Sequence, residues 1–197
     1  MDKKMIDDNN DRKLNTNRDK KKEGTLLDGL WEWTKSLVLA LAIALLIKTY
    51  LVEPTQVQGM SMEHTLHTGD RMFINKVVLK IRPLKRGEII VMHYNPANED
   101  YIKRVIGLPG DLVQLIDGNF YINGKKLKED YIFGDYTHAN AGFEWRLKDG
   151  EYFVAGDNRN PGMSKDSRVF GPVNIKDIKG IAHFRFYPFG ESFGGVD

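Results

Sequence analysis

One apolar stretch, residues 26–52, limits what the rest of this chain can be. Its centre, residues 36–47, is an uncharged run of 12 residues, short of the ~20 that cross a bilayer core. Lys35 and Lys48 flank it, and their long stems can carry the charges out to the headgroups. Trp31, Trp33 and Tyr50 stand where an interfacial aromatic belt sits. With these flanks the segment reaches a spanning length, and it reads as an uncleaved transmembrane anchor. A cleavable leader fits worse, because bulky Lys48-Thr49-Tyr50-Leu51 follows where a small-x-small site should be. A buried core helix is disfavoured by the flanking charges and the two tryptophans. Arg18, Lys20, Lys21, Lys22 and Lys35 precede the apolar centre, while Lys48 is the only basic residue between it and Arg71. The excess of positive residues on the N-terminal side predicts a cytoplasmic N-terminus and everything after Val52 outside.

The two flanking regions differ in kind. Residues 1–25 are polar and charged, with nothing to bury, and are expected to be a disordered tail. After the anchor, Glu53-Pro54 ends the helix, since proline restricts its predecessor to extended geometry. Strand patterns follow at 71–79, 88–94, 101–105, 151–155 and 181–187. Asp117-Gly118, between apolar runs at 112–115 and 119–122, is a hairpin signal, and Asn123-Gly124 makes a second turn directly after it. Only the anchor has a helical period. The expected architecture is therefore mainly β: twisted antiparallel sheets or a partly closed barrel, spanning residues 53–190, on one N-terminal membrane helix. The polar stretch 125–150 is either part of a small inserted cap, about 112–150, or an ordinary long excursion; residues 191–197 read as a tail.

Charge and composition remove several functions. The net charge of +2 argues against a nucleic-acid partner. The absence of cysteine excludes disulfides and thiolate metal sites. His64 and His67 are three apart but lack further ligands, so no metal or other cofactor is expected. Gly59-Met60-Ser61-Met62-Glu63 departs from the G-x-S-x-G elbow at its last position. No histidine lies in a triad context, so a serine nucleophile here needs another base. In Tyr101-Ile102-Lys103-Arg104-Val105, strand alternation turns Tyr101, Lys103 and Val105 to one side. Lys103 is then either an edge-strand charge that blocks aggregation or a desolvated amine able to take a serine proton.

Taken in order, the boxes are specific. Gly59-x-Ser61-Met62-x-x-Thr65-Leu66 is followed by Arg86-Gly87-Glu88-Ile89-Ile90, then Tyr101-Ile102-Lys103-Arg104-Val105-Ile106-Gly107-Leu108-Pro109-Gly110-Asp111, then Gly156-Asp157-Asn158-Arg159 and Ser164-Lys165-Asp166-Ser167-Arg168. This series closely resembles the bacterial type I signal peptidases in their short, single-anchor, Gram-positive form, from the anchor to about residue 190. The resemblance implies a monomeric, cofactor-free serine endopeptidase at the lipid bilayer that cuts signal peptides from exported preproteins. It implies Ser61 as nucleophile and Lys103 as general base, with Ser164 hydrogen-bonded to the lysine amine. Asp166 and Arg168 correspond to a structural ion pair and Asp157 to a supporting carboxylate. Met62, Leu66, Tyr101 and Ile102 correspond to walls of shallow pockets that admit small residues, giving an Ala-x-Ala preference. The backbone N–H of Ser61 is the expected oxyanion donor; Gly59 stands where some members carry a donating serine. Two features depart from the pattern: His64 replaces a usual proline, and Asn160-Pro161-Gly162-Met163 is about two residues longer than usual, a looped-out turn that makes Ser167 the alternative partner for Lys103. An inactive membrane-bound homologue would keep the fold and lack the dyad, whereas Ser61 and Lys103 are both present.

Overall fold

The computed structural model describes residues 29–45, 52–138, 142–190 and 193–196. The first of these is a helix, α1, over residues 29–45. At 1.5 Å per residue it is about 26 Å long. Its apolar side chains are exposed around the whole circumference, among them Trp33 at 81% and Leu37 at 71%. Its hydroxyls are satisfied internally: Thr34 donates to the Leu30 carbonyl at 2.8 Å and Ser36 to that of Glu32 at 3.0 Å. Among the described residues no helix is long and apolar enough to cross a membrane. The expected tail, 1–25, and the outer parts of the expected anchor, 26–28 and 46–51, lie outside the described residues.

Residues 52–196 form two antiparallel sheets, with strands numbered along the chain. The larger contains β1 (Val52–Gln56), β2 (Arg71–Asn75), β3 (Ile89–Tyr94), β4 (Glu99–Gly107), β9 (Glu151–Ala155), β10 (Val173–Asn174), β11 (Ile178–Tyr187) and β12 (Gly194–Gly195). Its order is β1-β2-β11-β3-β4-β9-β10, with β12 on β11. The smaller contains β5 (Leu112–Ile116), β6 (Asn119–Ile122), β7 (Lys125–Lys126) and β8 (Glu144–Arg146), in the order β7-β6-β5-β8. The tight turns have positive φ at both central residues, 45° and 72° at Asp117-Gly118 and 52° and 80° at Asn123-Gly124. That backbone twist matches the flanking strands.

Two boundaries differ from expectation. The run 71–79 is not one strand: β2 stops at Asn75, whose Oδ1 accepts from the Val77 and Val78 amides at 3.0 and 3.2 Å. That side-chain acceptor turns the chain into a short helix, α2 (Val78–Ile81), against the β preference of its valine. Residues 194–196, expected in a tail, return to the sheet: Gly194 and Gly195 pair with Arg185 and Phe184, and Val196 is buried.

Three apolar clusters hold the sheets. The one that positions the site joins Val57, Met62, Leu66, Met72, Ile89 and Val91, with Ile102 packed against it. A second lies on Ile90, Met92, Val105, Val154 and Ile181, and a third joins the small sheet to the large one through Val113, Phe120 and Phe153. Each such buried side chain contributes about 1.5–3 kcal/mol. Strand β4 is divided in use. Its residues Arg104 to Gly107 pair with β9, whereas 99–103 pair with β3 alone and leave their other edge open.

Candidate active site

The chain leaves β1 through Val57 and Gly59 and turns sharply at Ser61. Apolar side chains pin the turn from below, since Met62 and Leu66 are buried at 1% and 0% exposure. Backbone contacts fix it from the side: Asn158 donates its amide N–H to the Ser61 carbonyl and its side-chain Nδ2 to that of Met60, both at 3.0 Å. Arg185 holds the far end, donating to the Thr65 carbonyl at 3.1 Å and to Asp70 at 2.7 Å.

Lys103 reaches this turn from β4. Its Nζ donates to Ser61 Oγ at 3.0 Å and to the Ile102 carbonyl at 2.9 Å. The side chain is 3% exposed, so it is not a solvated edge charge. Burial pushes the amine from 10.5 down to about 8; Asp166 and Asp157 oppose this and Arg168 adds to it.

Two buried acid–base pairs flank the lysine. Asp166 accepts from Arg168 Nε and Nη2 at 2.9 and 2.7 Å, and also from the Gly156 amide at 2.9 Å and Ser164 Oγ at 2.6 Å. Burial alone would raise the Asp166 carboxyl, but Arg168 and these donors hold it below the usual carboxylate range. Asp166 also caps the helix α3 (Ser167–Phe170). Asp157, fully buried, accepts from Arg104 Nε and Nη2 at 2.9 and 2.8 Å and from Thr65 Oγ1 at 2.5 Å. It thereby ties the strand that carries Lys103 to the turn that carries Ser61. Replacing Asp157 with alanine removes the carboxylate shared by the buried Arg104 guanidinium and the Thr65 hydroxyl. A loss of roughly 3–5 kcal/mol in urea unfolding is expected, and a loss below 1 kcal/mol would show that this pair does not hold the site.

Ser164 does not bond Lys103: its hydroxyl goes to Asp166. The Ser167 Oγ accepts from the Val154 amide at 2.9 Å. Arg104, Thr65, Asn158 and Gly156 stand inside the sequence boxes with no role that spacing assigns, although Arg104 follows Lys103 directly and alternation turns it to the opposite side. The buried pair of Arg159 with Glu129 carried no local signal. His64 packs on Phe133 as a tilted ring pair with centroids 4.1 Å apart, and His67 meets Glu63 at 3.0 Å. Among the described residues no cluster of three or more His, Cys, Asp or Glu side chains is arranged to hold a metal.

Ser61 and Lys103 open on a groove of about 640 Å³ between the β1 segment, 55–62, and residues 98–103. Met62, Tyr101 and Ile102 line it; Leu66 does not, being wholly inside the core.

The sequence as a whole is similar to known proteins. The family described as "Signal peptidase, peptidase S26" matches residues 30–187. Signal peptidase I of Bacillus licheniformis is 42% identical over 83% of this chain and 92% of its own. Signal peptidase I T of Bacillus subtilis (strain 168) is 42% identical over 90% and 95%. Signal peptidase IB of Staphylococcus aureus (strain Mu50 / ATCC 700699) is 37% identical over 82% and 92%. A crystal structure of a signal peptidase I from Enterococcus faecalis V583 is 32% identical, covering 51% of this chain and 97% of that one, with a TM-score of 0.42. The chain belongs to the signal peptidase family, peptidase S26.

Proposed function

We propose that the protein is a signal peptidase I that works at a membrane surface, with Ser61 as nucleophile and Lys103 as general base. The observation that carries this reading is the 3.0 Å contact between Lys103 Nζ and Ser61 Oγ, made by a buried amine with a lowered pKa. Neutral Lys103 takes the Ser61 proton as Oγ attacks the scissile carbonyl, then gives it to the leaving amine. Water, activated by the same amine, releases the acyl group. No acceptor among the described residues takes the Ser61 N–H, which leaves it for the oxyanion. The open edge of residues 99–103 suits an extended substrate added as a strand, and buried Met62 beside Ile102 suits small side chains before the cut. Asp157, Asp166, Arg168 and Ser164 support the dyad without touching the substrate.

A bilayer partner is supported by two surfaces. The α1 helix exposes apolar side chains all round, which a low-dielectric surrounding accommodates. The catalytic body carries an aromatic patch of Tyr187, Phe189 and Phe193, 46%, 78% and 47% exposed, of the kind that sits at a membrane interface. A single pass with the N-terminus in the cytoplasm follows from the basic residues before the helix, and a monomer suffices because one chain supplies the whole dyad.

The test is cleavage of an Ala-x-Ala precursor in detergent, with the cut mapped by mass spectrometry across a pH series. The neutral amine is the active form. kcat/KM is therefore expected to climb about tenfold per pH unit up to about 8 and to level off above it. A profile flat through that value removes Lys103 as the base.

A further inference from the structure

The groove that holds the dyad contains a second fixed lysine that the chemistry does not use. Lys179 and His93 also line it, but both are committed to Asp100, at 2.6 and 2.9 Å. Lys165 makes no ion pair with any described residue. Its amine instead rests 4.8 Å over the ring of Tyr94. Tyr94 stacks on Tyr101 at 5.2 Å, and Lys103 Nζ lies 5.2 Å from the Tyr101 ring. Two stacked rings therefore separate the two amines, by no more than about 15 Å. An extended peptide covers that span in about five residues, at ~3.3 Å each.

The lengthened loop brings Lys165 here. Pro161-Gly162 forms a turn closed by the Met163 amide on the Asn160 carbonyl at 3.2 Å, and both Met163 and Lys165 then line the groove. The residues on either side of Lys165 are anchored, Ser164 Oγ to Asp166 at 2.6 Å and Asp166 to Arg168. The lysine is thus a cation on a rigid base with an open side. Glu99 is the other carboxylate of the groove, and it makes no ion pair with Lys165.

We propose that Lys165 is a specificity-determining residue that receives a carboxylate side chain of the substrate, an Asp or Glu within about five residues of the cut. This rests on the peptidase reading of the same groove. Because the cation is already held on an aromatic face, little side-chain freedom is lost when the carboxylate arrives. A partly exposed pair of this kind changes kcat/KM by about two- to fivefold.

The test uses the full chain in detergent and precursor peptides that differ by one Asp or one Asn, moved position by position on both sides of the cut. At one position the Asp peptide is expected to be cut about two- to fivefold better, through KM, with the advantage fading as salt is added. Lys165→Gln should bring the Asp/Asn ratio to one, and Lys165→Glu should reverse it in favour of a Lys peptide. The proposal is overturned if the wild type cuts the Asn peptides but prefers Asp nowhere, or if Lys165→Gln keeps the preference. If the wild type cuts none of the series, the peptidase reading itself falls, and this inference with it.

Discussion

Lys103→Met is expected to lower kcat/KM on a precursor by roughly 10⁶-fold while leaving the fold as stable as before or more so. The loss follows from the 3.0 Å contact with Ser61 Oγ, which is the serine's route for giving up its proton. Ser61→Ala should lose as much, and the double variant no more, because two groups that act as one unit are not additive. The stability half of the expectation comes from the pKa. An unfolded lysine holds its proton up to 10.5, the folded one only to about 8. Folding therefore carries a charge penalty of about 3 kcal/mol. The penalty is fully present below pH about 8 and disappears as pH rises past the unfolded value, so it is in force at neutral pH. Methionine keeps the length of the side chain and removes the charge. It also leaves the Ile102 carbonyl without its donor, which returns about 1–3 kcal/mol of the gain. An unchanged or raised melting temperature together with lost activity identifies Lys103 as a residue kept for chemistry at the expense of stability. A variant that unfolds assigns it to the scaffold instead, and one that still cuts the precursor ends its role as base.

How far the sequence reached depends on the range of the interactions involved. The hairpins at Asp117-Gly118 and Asn123-Gly124 were legible because two residues decide their backbone. So were strands read as short continuous apolar runs, such as β3 and β9, which are buried on successive residues. The end of β2 was not, because an asparagine side chain rather than the valines that follow decides it. Nor was β8: three residues of mixed character become a strand only because β5 offers an edge and Trp145 packs onto the third core cluster. At the site, Ser61 and Lys103 stand 42 positions apart and were linked by the order of the boxes, not by any local pattern. The direction of the Ser164 hydroxyl was beyond that logic. It depends on Asp166, two residues on, being turned inward by Arg168 and the Gly156 amide, a buried arrangement that no spacing reveals.

Gly156→Ala should be the most damaging conservative change outside the dyad. A Cβ at this position would lie 2.4 Å from the Ser61 carbonyl oxygen and 2.3 Å from Ser164 Oγ. Neither the new methyl nor the backbone beneath it has room to retreat. The Gly156 amide is fixed to Asp166 at 2.9 Å, and its carbonyl accepts from Arg159 Nε at 2.7 Å. The softer side is the turn that carries Ser61, held to this segment through the Asn158 amide at 3.0 Å. The clash should push Ser61 away from Lys103. A displacement near 1 Å is worth about 10²-fold in kcat, whereas the groove walls, and hence KM, are little disturbed. Overpacking should also cost about 1–3 kcal/mol of stability. Adding Ser164→Gly removes the Oγ half of the clash but not the carbonyl half, so it should restore stability in part and kcat hardly at all. Full rescue by that second change would mean that Ser164, not the Ser61 backbone, is what the glycine makes room for. Near-normal kcat in Gly156→Ala itself would show that the turn carrying the nucleophile tolerates displacement that this geometry does not allow.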